Sequence, residues 1–202
     1  MQLTATRLPT EARQAEIVAA ALRLAQDSSP ASITTTDLAG AVGVSQGALF
    51  KHFSSKEAIW LAVMAWVTEH LLRSLHEAAE QAPTPTEALR RVFDAHVRFV
   101  VAHPGVPRVI FHELQQPEDS PLKQQVRSLM QGYRQLLLGL LGASVQRGDA
   151  ALDLDVSAAA TLFVGIVQGL VMQSMLSGQM ANMSTQASSV FDLYLRGIRT
   201  PS

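Results

Sequence analysis

The chain has 202 residues, of which 48% are hydrophobic and 5% aromatic, and its formal net charge is -1. With so little net charge there is no global basic field, so any contact with nucleic acid must be local. The absence of cysteine excludes disulfides, thiolate metal sites and cysteine nucleophiles, and it fits a reducing cytosol. Residues 1–10 lack the apolar core of a secretory signal, so we expect a cytoplasmic protein.

The first quarter of the sequence predicts three helices. Residues 11–26 predict an amphipathic helix, because apolar side chains recur there at helical spacing. That apolar stripe consists of Ile17, Ala20, Ala21 and Leu24. Two shorter helices are predicted over 35–42 and 46–52. The residues suited to cap these two helices, and to form the turn between them, are Thr34, Ser45 and Gly43.

A long helix is predicted next. Ser54 to Glu57 has the sequence of a capping box, and the apolar pattern then continues through Leu75 until Pro83 and Pro85 stop it. Breaks that contain proline or glycine separate three further helices, predicted over 86–102, 106–115 and 121–145.

The last part of the chain predicts an apolar helix over 156–177, capped by Asp155, and an amphipathic one over 185–198. Residues 158–172 form the longest apolar stretch, which is shorter than the roughly 18 uncharged residues of a membrane span and contains Gln168. We therefore interpret it as a buried helix and expect no membrane contact. No strand pattern occurs, so the expected fold class is all-α.

The N-terminal segment resembles the tetracycline-repressor (TetR) family of transcription regulators. The residues that carry the resemblance are Ile17, Ala20, Ala21, Thr34, Thr35, Leu38, Ala39, Gly43, Val44, Ser45, Gly47, Ala48, Leu49, His52, Phe53, Ser55, Lys56 and Glu57. The resemblance implies a three-helix head with a helix-turn-helix, joined by a long helix to a helical ligand-binding and dimerisation domain. We expect the DNA-binding domain over residues 1–56 and the ligand-binding and dimerisation domain over 57–202.

A recognition helix must present small or hydrogen-bonding residues at its leading end, so that the backbone can approach the base edges. Gln46 can pair with adenine, Gly47 leaves room and the Ala48 methyl can touch a thymine methyl. The predicted DNA-binding residues are Thr34, Thr35, Thr36, Ser45, Gln46, Gly47, Ala48, Phe50, Lys51, His52 and Lys56. Phe50 is a departure, because the family commonly has a tyrosine there whose hydroxyl reaches a phosphate.

Several of these residues also have a purely structural interpretation. Thr34 and Ser45 are helix caps whether or not they touch DNA. His52 could be a half-buried structural histidine, and Lys51 a solvated charge. The three threonines at 34–36 are expected to hold a phosphate or reach a base, and Lys51, His52 and Lys56 to contact the DNA backbone.

The family resemblance implies that the last two helices pair with those of a second subunit. Gly165 and Gly169 form a G-x-x-x-G pattern that allows close approach of helices, with Met172 one turn further on. The alternative is that the two glycines serve packing within the chain. A mostly apolar helix needs cover on more than one side, which favours a homodimer.

An effector site is expected in the C-terminal domain, as in the family. The candidate lining residues are Trp66, His70, His96, Phe99, Phe111, Met130, Tyr133 and Phe163. Their apolar character favours a lipophilic small molecule, although aromatic residues at helical spacing are usually core. His96, His103 and His112 raise the question of a metal site, but no carboxylate or cysteine completes a tetrahedral set, so no metal or cofactor is predicted.

The sequence therefore favours a ligand-responsive repressor that a small lipophilic molecule releases from a palindromic operator. Two alternatives stay open: a helical carrier or enzyme for lipophilic molecules without DNA binding, and a DNA-binding activator or architectural factor. No nucleophile elbow, phosphate-binding loop or zinc-binding H-E-x-x-H motif occurs, so we do not expect an enzyme.

Overall fold

A computed structural model describes residues 10–199, apart from the side chain of Ala181. In this part of the chain nine α-helices and one 3₁₀ turn occur and no strand, which confirms the predicted all-α fold. The helices are α1 (Thr10–Leu24), α2 (Thr35–Ala41), α3 (Gln46–Leu49), α4 (Lys56–Glu80), α5 (Pro85–Ala102), α6 (Gly105–Gln115), α7 (Pro121–Gln146), α8 (Val156–Ser177) and α9 (Met183–Ile198), with the 3₁₀ turn at Met180–Asn182.

Local capping explains where these helices begin. The Thr34 hydroxyl accepts from the Asp37 amide at 3.1 Å, and the Ser45 hydroxyl accepts from the Ala48 amide at 3.2 Å. Asp155 caps α8 in the same way. These three predicted caps are therefore confirmed. Each stabilises the start of its helix, because its side-chain oxygen satisfies an amide that has no partner within the helix. Gly43 takes the left-handed conformation, with φ +68°, that the turn before α3 requires.

Several predicted boundaries shift by one to three residues, and two of these shifts have a clear local cause. The cap of α4 is Ser55 instead of Ser54, since the Ser55 hydroxyl accepts from the Ala58 amide at 3.0 Å. Helix α3 ends at Leu49 instead of His52, because the next amides bond three residues back: that of Lys51 to Ala48 and that of His52 to Leu49. The predicted last turn of α3 is thus a tighter turn, as is common at helix ends.

The described residues divide into two compact units, one with residues up to 67 and 105–125 and the other with 68–104 and the residues from 126 onward. Helix α6 belongs to the first unit because its first residue, Gly105, lies against α1. A Cβ atom on Gly105 would stand 2.2 Å from the Leu22 carbonyl oxygen, so no other residue fits without a shift. The predicted division of roles at residues 56 and 57 concerns function, and it stays a prediction.

In the first unit, α1, α2 and α3 each bury apolar side chains in a common core. Ile17, Ala20, Ala21, Leu38 and Leu49 are essentially inaccessible to solvent. Leu49, the last residue of α3, thus faces the core of the first unit. The predicted stripe of α1 is shifted, because Leu24 is only half-buried while its neighbours Val18 and Leu22 are buried.

The second unit packs α5, α8 and α9 against one another around an aromatic cluster. The rings of Phe93 and Phe163 meet edge to face with centroids 5.7 Å apart, and Phe93 and Phe191 lie 4.7 Å apart. Helix α8 contributes only one of its faces to this core. By length and composition α8 could cross a membrane, and only 33% of its most apolar stretch is buried. The prediction of a buried helix is therefore wrong for this chain considered alone.

Candidate nucleic-acid interface and effector-binding core

The predicted DNA-reading residues lie together on the outer surface of α2 and α3. Ser45, Gln46 and Gly47 at the start of α3 are exposed, and a Cβ added to Gly47 would meet no atom within 4 Å. Ala48 is partly exposed behind them. The leading end of α3 is thus small, polar and open on the side away from the core, as close approach to base edges requires.

Helix α2 contributes three threonines, and they differ in what their hydroxyls do. The Thr34 hydroxyl donates to the Asp37 carboxylate at 2.7 Å while it accepts from the Asp37 amide, so its hydrogen bonds are used within the cap. Those bonds from Thr34 lower the pKa of Asp37. Thr35 is half-exposed and Thr36 exposed. The structure therefore favours capping for Thr34 and leaves the phosphate contact to the other two.

One hydrogen bond joins the two helices across this surface. The side-chain amide of Gln46 donates from Nε2 to the Thr35 hydroxyl oxygen at 2.5 Å. The sequence predicts both residues as DNA contacts but not the bond between them, because they are eleven positions apart and the turn at Gly43 brings the two helix starts together.

The predicted basic contacts are placed less uniformly. Lys51 is exposed just after α3. The Lys56 ammonium donates to the Ala31 carbonyl at 2.9 Å, so it also ties α4 to the loop before α2. His52 is half-buried, and among the described residues its Nδ1 atom is buried without a hydrogen-bond partner. Only the other ring nitrogen of His52 could then reach a phosphate.

Phe50 stands out on this polar surface. It is the C-cap residue that follows α3, and 44% of it is accessible to solvent. A large exposed aromatic side chain gains nothing in the unbound protein, since it contributes little to the core. Its position directly after the leading end of α3 suits apolar contact with a sugar or a thymine methyl.

In the second unit, three of the predicted effector residues come together. His96 Nδ1 and the Tyr133 hydroxyl are 3.1 Å apart, and the Tyr133 and Phe163 rings meet edge to face at 6.2 Å. Tyr133 and Phe163 are fully buried, while His96 keeps some exposure at its surface. Desolvation of the imidazole lowers the pKa of His96 to about 4, so His96 is neutral at pH 7. Burial likewise raises the pKa of Tyr133.

The other predicted effector residues lie elsewhere. Phe99 packs on His103, with ring centroids 4.8 Å apart. Burial, and secondarily the neighbouring His70, lowers the pKa of His103. Met130 is half-buried in the second unit, whereas Trp66 and Phe111 belong to the first. The predicted set is therefore divided between the two units.

Three further aromatic residues, which the sequence did not single out, surround Phe163. They are Phe93, Phe191 and Tyr194, which contact Phe163 with centroids 5.5 to 5.9 Å away. The spacing of the last two, three positions apart on the amphipathic α9, was the signal that could have found them. Within residues 10–199 no group of three or more histidine, aspartate or glutamate side chains could hold a metal ion.

Helix α8 presents an apolar stripe to the outside of the second unit. Gly165 and Gly169 are exposed, and a Cβ on either would meet no atom of the described chain within 4 Å. Three large apolar residues continue the stripe, with exposed fractions of 54% for Leu162, 46% for Met172 and 75% for Leu176. The five positions follow each other at intervals of three and four, the spacing of a seam between packed helices. The two glycines therefore do not serve packing within the described chain.

Known proteins match almost the whole chain. A family model for bacterial regulatory proteins of the tetR family matches residues 17–63, and a model for the C-terminal region of YsiA-like proteins matches residues 67–197. The fatty acid metabolism regulator protein of Bacillus subtilis (strain 168) is 23% identical over 183 residues, which cover 91% of this chain and 94% of that protein.

Two further matches agree. The nucleoid occlusion factor SlmA of Vibrio atlanticus (strain LGP32) is 26% identical over 158 residues, which cover 78% of this chain and 81% of that one. A crystal structure of the regulator FadR from Bacillus subtilis in complex with stearoyl-CoA superimposes with a TM-score of 0.79 at 23% identity, covering 92% of this chain and 99% of that one. With its head and most of its C-terminal part both matched, the chain belongs to the tetR family of bacterial regulatory proteins.

Proposed function

We propose that this protein is a cytoplasmic, homodimeric repressor that binds a palindromic operator and leaves it when a lipophilic small molecule enters its C-terminal domain. Residues 1–56 are assigned to DNA binding, and 57–202 to ligand binding and dimerisation. The observation that carries the proposal is the open, polar leading end of α3, since this surface lies outside the core and has the form that major-groove reading needs.

Each predicted DNA contact has a role in the proposal. Gln46 reads adenine, Gly47 and Ala48 allow close approach, and Ser45 adds a hydroxyl at the helix start. Thr34 keeps its role as the cap of α2. The sequence-independent contacts to phosphate and sugar come from Thr35, Thr36, Phe50, Lys51, His52 and Lys56. Of these, Lys51 and Lys56 carry the charge, so they set most of the salt dependence of binding.

The second copy of the chain is assigned to the exposed stripe of α8. This stripe places five small or apolar positions on one helix face, including Gly165, Gly169 and Met172. Exposed Gln168 and Gln173 flank it, which suits a water-exposed rim better than a lipid-facing surface. A two-fold symmetric dimer brings identical stripes together and presents two recognition helices, which is why a palindromic operator is expected.

The effector is assigned to the second unit, around the neutral pair of His96 and Tyr133. This pair places two hydrogen-bonding groups within an aromatic surrounding, an arrangement that suits a long apolar molecule with a polar end. The relative FadR was crystallised with stearoyl-CoA, so a long-chain acyl thioester is the first effector to test. The proposal includes no metal, cofactor or catalytic step.

The test begins with selection of operators by the purified full chain from a randomised duplex pool, followed by binding measurements by fluorescence anisotropy. A palindromic site is expected, with Gln46→Ala relaxing preference at one base pair of each half-site. Lys56→Ala should weaken binding to every sequence and lower the salt slope by about one. Stearoyl-CoA should release the operator. A monomeric chain that ignores duplex DNA at low salt would overturn the proposal.

A second DNA-binding role has one observation in its favour. The relative SlmA is a nucleoid occlusion factor, and the nucleoid is the chromosome as a whole. An architectural role of this kind would give many genomic sites and no release by acyl thioesters, whereas a repressor gives few sites next to promoters. An activator differs from a repressor only in transcription assays, and a carrier or enzyme would turn over or carry lipophilic molecules without binding DNA.

A further inference from the structure

The hydrogen bond between Gln46 and Thr35 bears on how a base would be read. Gln46 is the first residue of α3 and Thr35 the first residue of α2, so the bond links the starts of the two helices that face DNA in the proposed function. The inference that follows rests on that proposed function.

Both ends of this bond are held in place by caps. On the α2 side, the Thr34 amide donates to the Asp37 carboxylate at 2.8 Å, and the Asp37 amide donates to the Thr34 hydroxyl. On the α3 side, the Ser45 hydroxyl caps the helix through the Ala48 amide. The backbones of Thr35 and Gln46 are therefore fixed, and the bond restricts what would otherwise be a flexible glutamine side chain.

The chemistry of the bond leaves the reading atoms available. A glutamine amide has two N–H donors and one carbonyl acceptor, and the Thr35 hydroxyl uses one of the donors. The remaining N–H and the carbonyl oxygen are the pair that matches N7 and the N6 amino group of adenine. The Thr35 hydroxyl, while it accepts from Gln46, still has its own proton to give to a phosphate oxygen.

We propose that Thr35 is a positioning residue for base recognition, which orients the Gln46 amide toward the base edge and couples that reading to a neighbouring phosphate contact. Thr35 then affects specificity through Gln46, not only affinity. Ordering the side chain before binding reduces the entropy that the bound complex would otherwise lose. Removing the Thr35 hydroxyl should therefore weaken discrimination at the base pair that Gln46 reads, and much less so at other positions.

The test uses the full chain and the operator selected as described above. Discrimination is the ratio of dissociation constants for the operator and for a duplex in which the base pair relaxed by Gln46→Ala is changed. Thr35→Val preserves the shape of the side chain but removes the hydroxyl, whereas Thr35→Ser keeps the hydroxyl. Thr36→Val is the matched control on the same helical turn. Thermal melting shows that each variant is folded, and Thr35→Ala replaces Thr35→Val if the latter is not.

We expect Thr35→Val to reduce discrimination by about fivefold, the lower end of what one bidentate base contact contributes. Thr35→Ser should retain this discrimination. Thr36→Val should retain it as well, although the lost phosphate contact weakens binding to every sequence alike. Thr35→Val should not reduce discrimination further when Gln46 is already alanine. Binding of Thr35→Val to non-specific duplex should have an unchanged salt slope.

Three results would overturn the inference while the proposed function stands. In the first, Thr35→Val keeps full discrimination. In the second, Thr35→Val weakens binding to all sequences equally, as the loss of a simple phosphate contact would. In the third, Gln46→Ala leaves every base preference unchanged. Failure of the wild-type chain to bind any duplex is a different result, because it removes the proposed function itself.

Discussion

Substitution of the two glycines on the exposed stripe of α8 tests where the second subunit binds. In the Gly165→Leu, Gly169→Leu double variant, the new side chains point into open space, because no described atom lies within 4 Å of either Cβ position. Leucine is a better helix former than glycine by about 0.7 kcal/mol per site. The isolated subunit should therefore become more stable by about 1.4 kcal/mol, which corresponds to a rise in Tm of about 3–6 °C for a chain of this size.

The same substitutions should weaken the association of the two subunits. Overpacking a close contact costs about 1–3 kcal/mol per site, and each site occurs twice in a two-fold symmetric dimer. At the low end the four added side chains cost about 4 kcal/mol, which raises the dissociation constant of the dimer by about three orders of magnitude. Sedimentation velocity at several protein concentrations measures this change directly.

Gly139→Leu is the matched control. Gly139 is an exposed glycine inside α7 that also has no atom within 4 Å of its Cβ position, so the variant gains helix propensity without touching the stripe of α8. We expect it to remain a dimer. If the double variant also remains a dimer and melts at a higher temperature, the second subunit does not bind at the two glycines, and this part of the reasoning is refuted.

Three further predictions concern single positions. Phe50→Tyr should tighten binding to specific and non-specific duplex alike by about three- to tenfold, through a new hydrogen bond to phosphate seen in anisotropy titrations. Thr34→Ala should lower the free energy of unfolding by about 1 kcal/mol in urea titrations, whereas Thr36→Ala should not. Because the pKa of His96 is about 4 in the folded chain and 6.5 in its ordinary state, the unfolded chain takes up a proton that the folded one does not as the pH falls from 6.5 to 4. Stability is lost over that window, and His96→Gln, which retains a partner for Tyr133, should lose less between pH 7 and pH 5.

Much of the fold was predictable because its signals are local. A capping residue satisfies an amide three residues away, so Thr34, Ser45 and Asp155 mark helix starts without any knowledge of tertiary packing. Gly43 does the same for the turn before α3. Where the local signal was ambiguous, as with two consecutive serines before α4, the prediction was off by one residue.

The site was less predictable, because the spacing of residues along the sequence does not show which residues from different helices lie close together. The surface of α2 and α3 follows from the family motif, yet the bond between Thr35 and Gln46 depends on the angle between two helices. Aromatic residues at helical spacing mark an apolar face, but they do not say which compact unit that face belongs to. Trp66 and Phe111 were grouped with Tyr133 for that reason, and they lie in the other unit.

Hydropathy alone does not show what covers the apolar surface of α8, since an apolar helix can be covered by the protein core, by lipid or by a second subunit. The positions of the glycines narrow the choice. Within a core, Gly165 and Gly169 would have neighbours close to their Cβ positions, and the described residues supply none. Between lipid and a second subunit, the exposed Gln168 and Gln173 beside the stripe favour the second subunit, whose helix the glycines would allow to approach closely.

The packing of the second unit bears on how a ligand could act. Tyr133 and Phe163 are fully buried and in ring contact, and Phe163 also contacts aromatic side chains from α5 and α9. A lipophilic molecule that contacts these rings must move the side chains that now cover them, because neither ring has accessible surface. Ligand binding at this cluster would therefore displace side chains of α5, α7, α8 or α9. Helix α8 also presents the stripe assigned to the second subunit, so in the proposed dimer a displacement of α8 would change how the two subunits pair.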